Sequence, residues 1–304
     1  MAPKPKRPPL TKKRQAWAAE RSGVFRGCPL NVNRSAEARY SAKLGGMTAR
    51  MVEEVERELR KLYNRPSAEK LFAQDERFSS VAAKLLNKLQ GKFQDWFDDN
   101  ALGMSDDMAD SVDKSSQSML RASLEDLTGG MTLKTGIMSA KVSEVVGASV
   151  AQNVGLIKNI PSSYFDQIKG AVMRSIQSGG HGTKEIFDEI NSYGVVTKQR
   201  ASQIARDQTS KATTAVNNAR MQSLGIKKFE WMHTSRAKHP RQLHQSYDGQ
   251  IFCLSEPPII DEQTGERGLP GQLINCGCRM IPVITYGDEP DSDYGGENDD
   301  DQED

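Results

Sequence analysis

The chain has 304 residues, 37% of them hydrophobic, enough for two domains or for one domain with arms. No apolar run reaches the roughly eighteen residues of a membrane span, and the basic start Met1–Pro9 is not followed by the apolar stretch of a secretory signal. Four cysteines, two of them one residue apart, do not form a disulfide framework, so an intracellular, reduced protein is expected. The formal net charge of +1 hides a strong polarity: residues 1–50 carry a net +10 and residues 287–304 a net −10. Blocks of one sign are usually solvated tails, although a basic Pro-rich arm can also lie along phosphates.

Residues 1–33 hold seven prolines and glycines and read as a basic flexible arm. A helix follows from Ser35, with Tyr40, Leu44, Met47, Met51, Val55, Leu59 and Leu62 at steps of three and four, ended by Asn64-Arg65-Pro66. A second helix is expected over about 69–98, with Phe78, Val81, Leu85, Leu89, Phe93 and Trp96 on its stripe and a break at residues 100–103. A third spans about 105–127, closed by Gly129-Gly130, and a fourth about 141–157. These stripes are those of a core, so residues 34–157 read as a helical hairpin or bundle without chemistry of its own.

A domain boundary is expected at Lys158–Pro161, opening a second domain, 158–286, with a helix capped by Ser162 or Ser163. Gly179-Gly180-His181-Gly182 makes a turn that lacks the spacing of a phosphate-binding loop. Thr183 is read as the cap of a short helix ending at Tyr193-Gly194, and Thr197 as the cap of a long one, 198–224, stopped by Gly225. The apolar residues of that long helix are small, which permits close backbone approach. Its polar set (Arg206, Thr209, Asn217, Arg220) reads either as a solvated face or as a contact surface. Three short strands are expected at 227–232, 250–254 and 279–284, before an acidic tail, 287–304. The fold class is therefore α+β and mostly helical, ending in a small three-stranded sheet.

Three of the four histidines and three of the four cysteines lie between Trp231 and Pro282. In order come Trp231, His239-Pro240-Arg241, His244, Asp248-Gly249, Pro270-Gly271 and Asn275-Cys276-Gly277-Cys278-Arg279. They follow a helix carrying Ile204-Ala205-Arg206, Thr209, Asn217 and Arg220. This order, over about residues 157–285, resembles the head-morphogenesis or minor head protein family of tailed bacteriophages, the group named for the F protein of phage Mu. Two departures are visible. Arg206-Asp207-Gln208-Thr209 stands where the family more often has Arg-Thr-Glu-Thr, and Ser235-Arg236 where many members place an aspartate. The resemblance implies structural work in a virion assembled in the host cytoplasm. Such proteins occur in few copies near the portal vertex, contact portal, scaffolding or major capsid protein, and in some phages affect DNA packaging or ejection.

Chemically, His239, His244, Cys276 and Cys278 make a candidate tetrahedral zinc site pinning a loop to the last strand. The competing reading is two small core thiols and two histidines bonded to carbonyls. Cys253 reads as core, Cys28 belongs to the arm, and His233 ranks below His239 as a ligand. Candidates for phosphate or partner contact are Lys4, Lys6, Arg7, Lys12, Lys13 and Arg14 in the arm, and Arg206, Arg220, Arg241 and Arg279 beyond it. No nucleophile–base–acid arrangement is apparent, so no catalytic residues are assigned. Two other readings remain: a metal-dependent hydrolase or nuclease using His239, His244 and Asp248 around a water, and a DNA-binding protein working through the arm.

Overall fold

A computed structural model describes residues 23–64, 75–127, 138–178, 183–234 and 240–286. The arm lysines and arginines up to Arg14, together with His181, His239 and the acidic tail, lie outside the described residues. Four helices build the larger part. Helix α1, Arg34–Tyr63, starts at Asn33, whose side-chain oxygen accepts from the Ala36 backbone N–H at 3.1 Å. Its seven expected stripe residues are all buried.

Helix α2, Asp75–Leu127, runs unbroken through residues 100–103, where a break was expected. Asn100 turns its side chain back onto the Trp96 carbonyl at 2.8 Å, while Ala101 and Met104 are buried. Burial of the flanking residues there outweighs the roughly 1 kcal/mol that one helical glycine costs. Of the expected stripe of α2, Phe78, Leu89 and Phe93 are buried, and at the other three positions the next residue takes the inward place. Ala82, Leu86 and Phe97 face inward, whereas Val81 is exposed and Leu85 and Trp96 only partly covered. Apolar residues stand side by side at these positions, so periodicity alone could not choose the face.

Helix α3, Ala140–Gln177, passes straight through the expected domain boundary, with Pro161 inside it. Proline offers no N–H to the preceding turn and disfavours a helix interior by about 3 kcal/mol. The helix is held across it because Ile160 and Pro161 are buried and the Asn159 side-chain oxygen accepts from Arg200 at 2.8 Å and Ser163 at 2.9 Å. Helix α4, Thr183–Ser223, likewise fuses the two helices expected around Gly194. Thr197 is not a cap; it sits mid-helix with its hydroxyl on the Tyr193 carbonyl at 2.8 Å. Gly194 marks a close crossing, since a Cβ there would lie 2.6 Å from Cγ1 of Val52 on α1. One hydrophobic core joins all four helices.

Polar ties cross that core. The Tyr40 hydroxyl donates to Asn153 at 2.7 Å, and Asn153 donates to Ser105 at 3.0 Å, linking α1, α3 and α2. Burial pushes the Tyr40 phenol above its ordinary range, so it stays protonated as a donor. Nearer the end of α4, Asn217 accepts from Ser116, and Arg220 forms an ion pair with Asp113 of α2. Both partners of that pair are buried. The polar set on α4 is therefore interior, apart from Arg206, and its acidic partner comes from another helix.

Where three strands were expected, the main sheet has four. It contains β1 (Gly23–Arg26), β2 (Lys228–Met232), β3 (Ile251–Cys253) and β6 (Arg279–Tyr286), all antiparallel in the order β1-β6-β2-β3. A short helix α5 (Gln242–Ser246) and a hairpin of β4 (Ile259–Asp261) with β5 (Glu266–Arg267) lie between β2 and β6. The extra strand corrects the reading of residues 1–33 as all flexible arm. β1 covers the free edge of β6, and Gly27 and Leu30 continue the pairing onto the Pro282 and Met280 carbonyls, both at 2.9 Å. A second core under the sheet collects Leu30, Leu120, Leu124, Met221, Phe229, Trp231 and Met280, so the ends of α2 and α4 form its floor. No described helix is long and apolar enough to cross a membrane.

Both the buried ion pair and the Gly194 crossing can be tested by unfolding. Arg220→Met strands a buried carboxylate and should cost about 3–5 kcal/mol in urea unfolding, whereas Arg220→Met with Asp113→Leu should recover most of that loss. Gly194→Ala should lower the melting temperature despite alanine's better helix propensity, because Val52 is stiff at χ1; adding Val52→Ala should restore it in a thermal melt.

Candidate metal centre

Strand β2 alternates inward Phe229 and Trp231 with outward neighbours, and the next residue on the inward face is His233. The pairing of Met232 with Arg279 and Trp231 with Met280, extended by one step, sets His233 opposite Cys278. The structure places the His233 Nδ1 3.6 Å from the Cys278 sulfur. His244, buried in α5, brings its Nδ1 to 3.5 Å from the Cys276 sulfur and 3.9 Å from that of Cys278. Ligand atoms of His244, Cys276 and Cys278 all lie within 4.8 Å of one another.

Each member is oriented by its surroundings. The Nε2 of His244 lies 3.0 Å from the Ile260 carbonyl and must donate to it, which leaves Nδ1 as a lone pair aimed at the thiols. Trp231 packs edge-on against the imidazole at 5.0 Å between centroids. His233 is fixed at its backbone, where its N–H donates to Asp248 at 2.7 Å, and the Thr234 hydroxyl donates to the Gly277 carbonyl at 2.7 Å. Asp248 is thus committed to positioning the loop, and His244, Cys276 and Cys278 group without a carboxylate.

The two thiols hold different protonation preferences. Cys276 is drawn well below the ordinary thiol range, first by the hydrogen bond from Cys278 and then by His244, against the opposing effect of burial. Cys278 is pushed up, by that same hydrogen bond and by burial. The pair therefore loses its first proton readily and resists losing the second unless a positive charge is supplied. Backbone N–H groups of Cys278 and Gly271 support the Cys276 sulfur, and that of Thr234 supports Cys278.

The turn that carries the cysteines is gripped by α4. Asn275, the one non-glycine with positive φ among the described residues (61°), donates its backbone N–H to Asp207 at 3.1 Å and accepts from Arg206 with its side chain. Gly271, at φ 89°, sits so close to α4 that a Cβ would lie 2.8 Å from the Thr214 hydroxyl oxygen and 3.1 Å from that of Ser210. Thr214 donates to the Pro270 carbonyl at 2.7 Å. The small apolar residues of α4, Ala201, Ala205, Ala212 and Ala219, pack in the core of the bundle, while Ser210 and Thr214 admit the loop. Asp207, Ser210 and Thr214 are positioning residues that the motif did not mark, whereas Asn275 belonged to it.

Other expected site residues fall differently. His244, Cys276 and Cys278 converge, His239 lies outside the described residues, and His233, ranked below it, approaches Cys278. His233 could have been favoured from the sequence, since the two-residue alternation from Phe229 through Trp231 continues onto it. Cys253, expected in the core, is exposed on edge strand β3, and Cys28 is partly buried with its N–H on Ser123 at 2.8 Å. Among the candidates for phosphate contact, Arg220 is the buried partner of Asp113. Arg279 is also buried, bonded at 2.7 Å to the Cys278 carbonyl, and burial draws its guanidinium below the usual range. Neither can reach a phosphate. Arg206 and Arg241 are exposed, engaged with Asn275 and with the Ile274 carbonyl at 3.4 Å.

Residues 166–281, from the second half of α3 into β6, match the family described as Phage Mu protein F like protein. The chain is also 30% identical over 266 residues to an uncharacterized protein of Haemophilus influenzae, a match covering 86% of this chain and 56% of that one. It therefore spans little more than half of that relative. No solved structure matches.

Gly271→Ala should cost about 2–4 kcal/mol, from the left-handed backbone and the contact with Thr214 together. A urea midpoint lowered at constant slope would show it, and Thr214→Ala in the same chain should relieve only the steric part.

Proposed function

We infer that this chain, whose residues 166–281 carry the Phage Mu F-like sequence, is a structural minor head protein that joins the procapsid of a tailed bacteriophage through portal and capsid or scaffolding contacts. The match to that family points to head morphogenesis and to a place in the virion. The observation that carries the structural reading is the state of the cluster beneath the sheet. His244, Cys276 and Cys278 are buried, and the nearby acid Asp248 is spent on a backbone N–H. A hydrolase needs an open position where water and substrate meet, and a buried pair of thiols does not supply one.

Binding to packaged DNA belongs to the same proposal, in a narrower form than charge counting suggests. With Arg220 and Arg279 interior, the basic residues left for phosphate are those of the arm, Lys4 to Arg14, with Arg206 and Arg241 on the surface.

Co-expression with the portal protein of the same phage tests the main reading. A complex that survives size exclusion, and procapsids that lack infectivity when this gene is deleted, are expected. Particles that contain none of this polypeptide at any stage of assembly would overturn it. For DNA, removing residues 1–22 should weaken binding to the duplex and flatten the dependence of log affinity on log salt, by about 0.9 for each phosphate no longer neutralised. An unchanged slope would exclude the arm.

A further inference from the structure

We propose that His233, His244, Cys276 and Cys278 together bind one zinc ion in a closed tetrahedral site that clasps β2, α5 and the turn entering β6. In a tetrahedral zinc site, bonds of about 2.3 Å to sulfur and about 2.0–2.1 Å to nitrogen place each sulfur about 3.6 Å from each nitrogen. The separations of His244 from Cys276 and Cys278, 3.5 and 3.9 Å, are two edges of such a tetrahedron. His233 approaches its fourth corner from the Cys278 side at 3.6 Å, outside the group in which the other three lie within 4.8 Å of one another, so that metal binding draws its imidazole inward.

Hydrogen bonds between thiols and imidazoles would have similar lengths but do not satisfy the group. The Nδ1 of His244 has a single lone pair and faces two sulfurs, while its other nitrogen is committed to Ile260. One lone pair accepts one S–H, whereas a cation between them serves the His244 nitrogen and both sulfurs at once. Two sulfurs and two imidazole nitrogens are the donor set of structural zinc, with no coordination position left for water. Binding releases the thiol protons to solvent and changes no oxidation state.

The test uses the full chain. Protein purified without chelator should contain one zinc per chain. Replacement by Co2+ should produce the intense visible bands of tetrahedral cobalt with a thiolate charge-transfer band. Cys276→Ser, Cys278→Ser and His244→Ala should each abolish that spectrum. His233→Ala should weaken metal affinity by more than the 10–100-fold typical of losing an outer hydrogen-bond partner, while His239→Ala leaves it unchanged. Thiol alkylation of the unaltered protein gives a readout that does not depend on a variant folding. Zinc should protect Cys276 and Cys278 until chelator is added, while exposed Cys253 reacts in either case. Absence of bound zinc, weak octahedral cobalt bands, or equal alkylation with and without chelator would overturn the site. Loss of the cobalt spectrum in His239→Ala but not in His233→Ala would overturn His233 as the fourth ligand.

Discussion

A guanidinium sealed from water sets the arrangement of this protein. Arg220 on α4 and Asp113 on α2 are each costly to bury alone, and they meet as an ion pair, with Gln117 donating to the second oxygen of Asp113 at 2.9 Å. Sliding α4 along α2 by one residue would separate them, so the pair specifies register in a bundle whose apolar faces would accept several. Ser116 with Asn217, about one turn away on each helix, repeats the constraint at lower cost. The helical bundle is thereby given a defined end.

That end carries the sheet. Leu120 and Leu124 of α2 and Met221 of α4 pack beneath Phe229, Trp231 and Met280, in a core separate from that of the bundle. The connection out of α4 is short: Gly225 turns the chain, and the N–H of Ile226 returns to the Met221 carbonyl at 2.9 Å before β2 begins. Displacement of α4 would move β2, and with it Trp231 and His233. The same helix grips the cysteine turn through Asp207, Arg206 and Thr214, so one rigid element positions both sides of the His/Cys cluster. This is how His244 meets Cys276 and Cys278, and His233 meets Cys278, although the cysteines lie more than thirty residues further along the chain.

Much of the site could be read from residue types. The crowding of histidine, cysteine and turn glycines after Trp231 located it, and Gly271 and Asn275 prove to be where left-handed backbone is required. The identity of the imidazole opposite Cys278 depended on strand register, which pairs Met232 with Arg279 and follows from the whole sheet. Charge misled in one respect. Arg220 and Arg279 look like phosphate ligands when basic residues are only counted, because a sequence does not say whether a partner lies on another helix or whether a guanidinium caps a carbonyl.

By itself, the sequence determined where helix forms, although as seven shorter segments, together with the face of α1, three of the strands, and which end of the chain carries the histidine–cysteine cluster. These depend on local periodicity and on residue types whose preferences act within a few positions. Tertiary structure decided the rest. It carried α2, α3 and α4 through Gly103, Pro161 and Gly194, because burial on neighbouring helices outweighed local breaking tendencies of about 1–3 kcal/mol each. It drew residues 23–26 into the sheet, because the edge of β6 required a partner that only a distant segment could supply. It also turned α4 from a polar helix into the interior post of the molecule, since the residues that satisfy Arg220 and Asn217 lie about one hundred positions away.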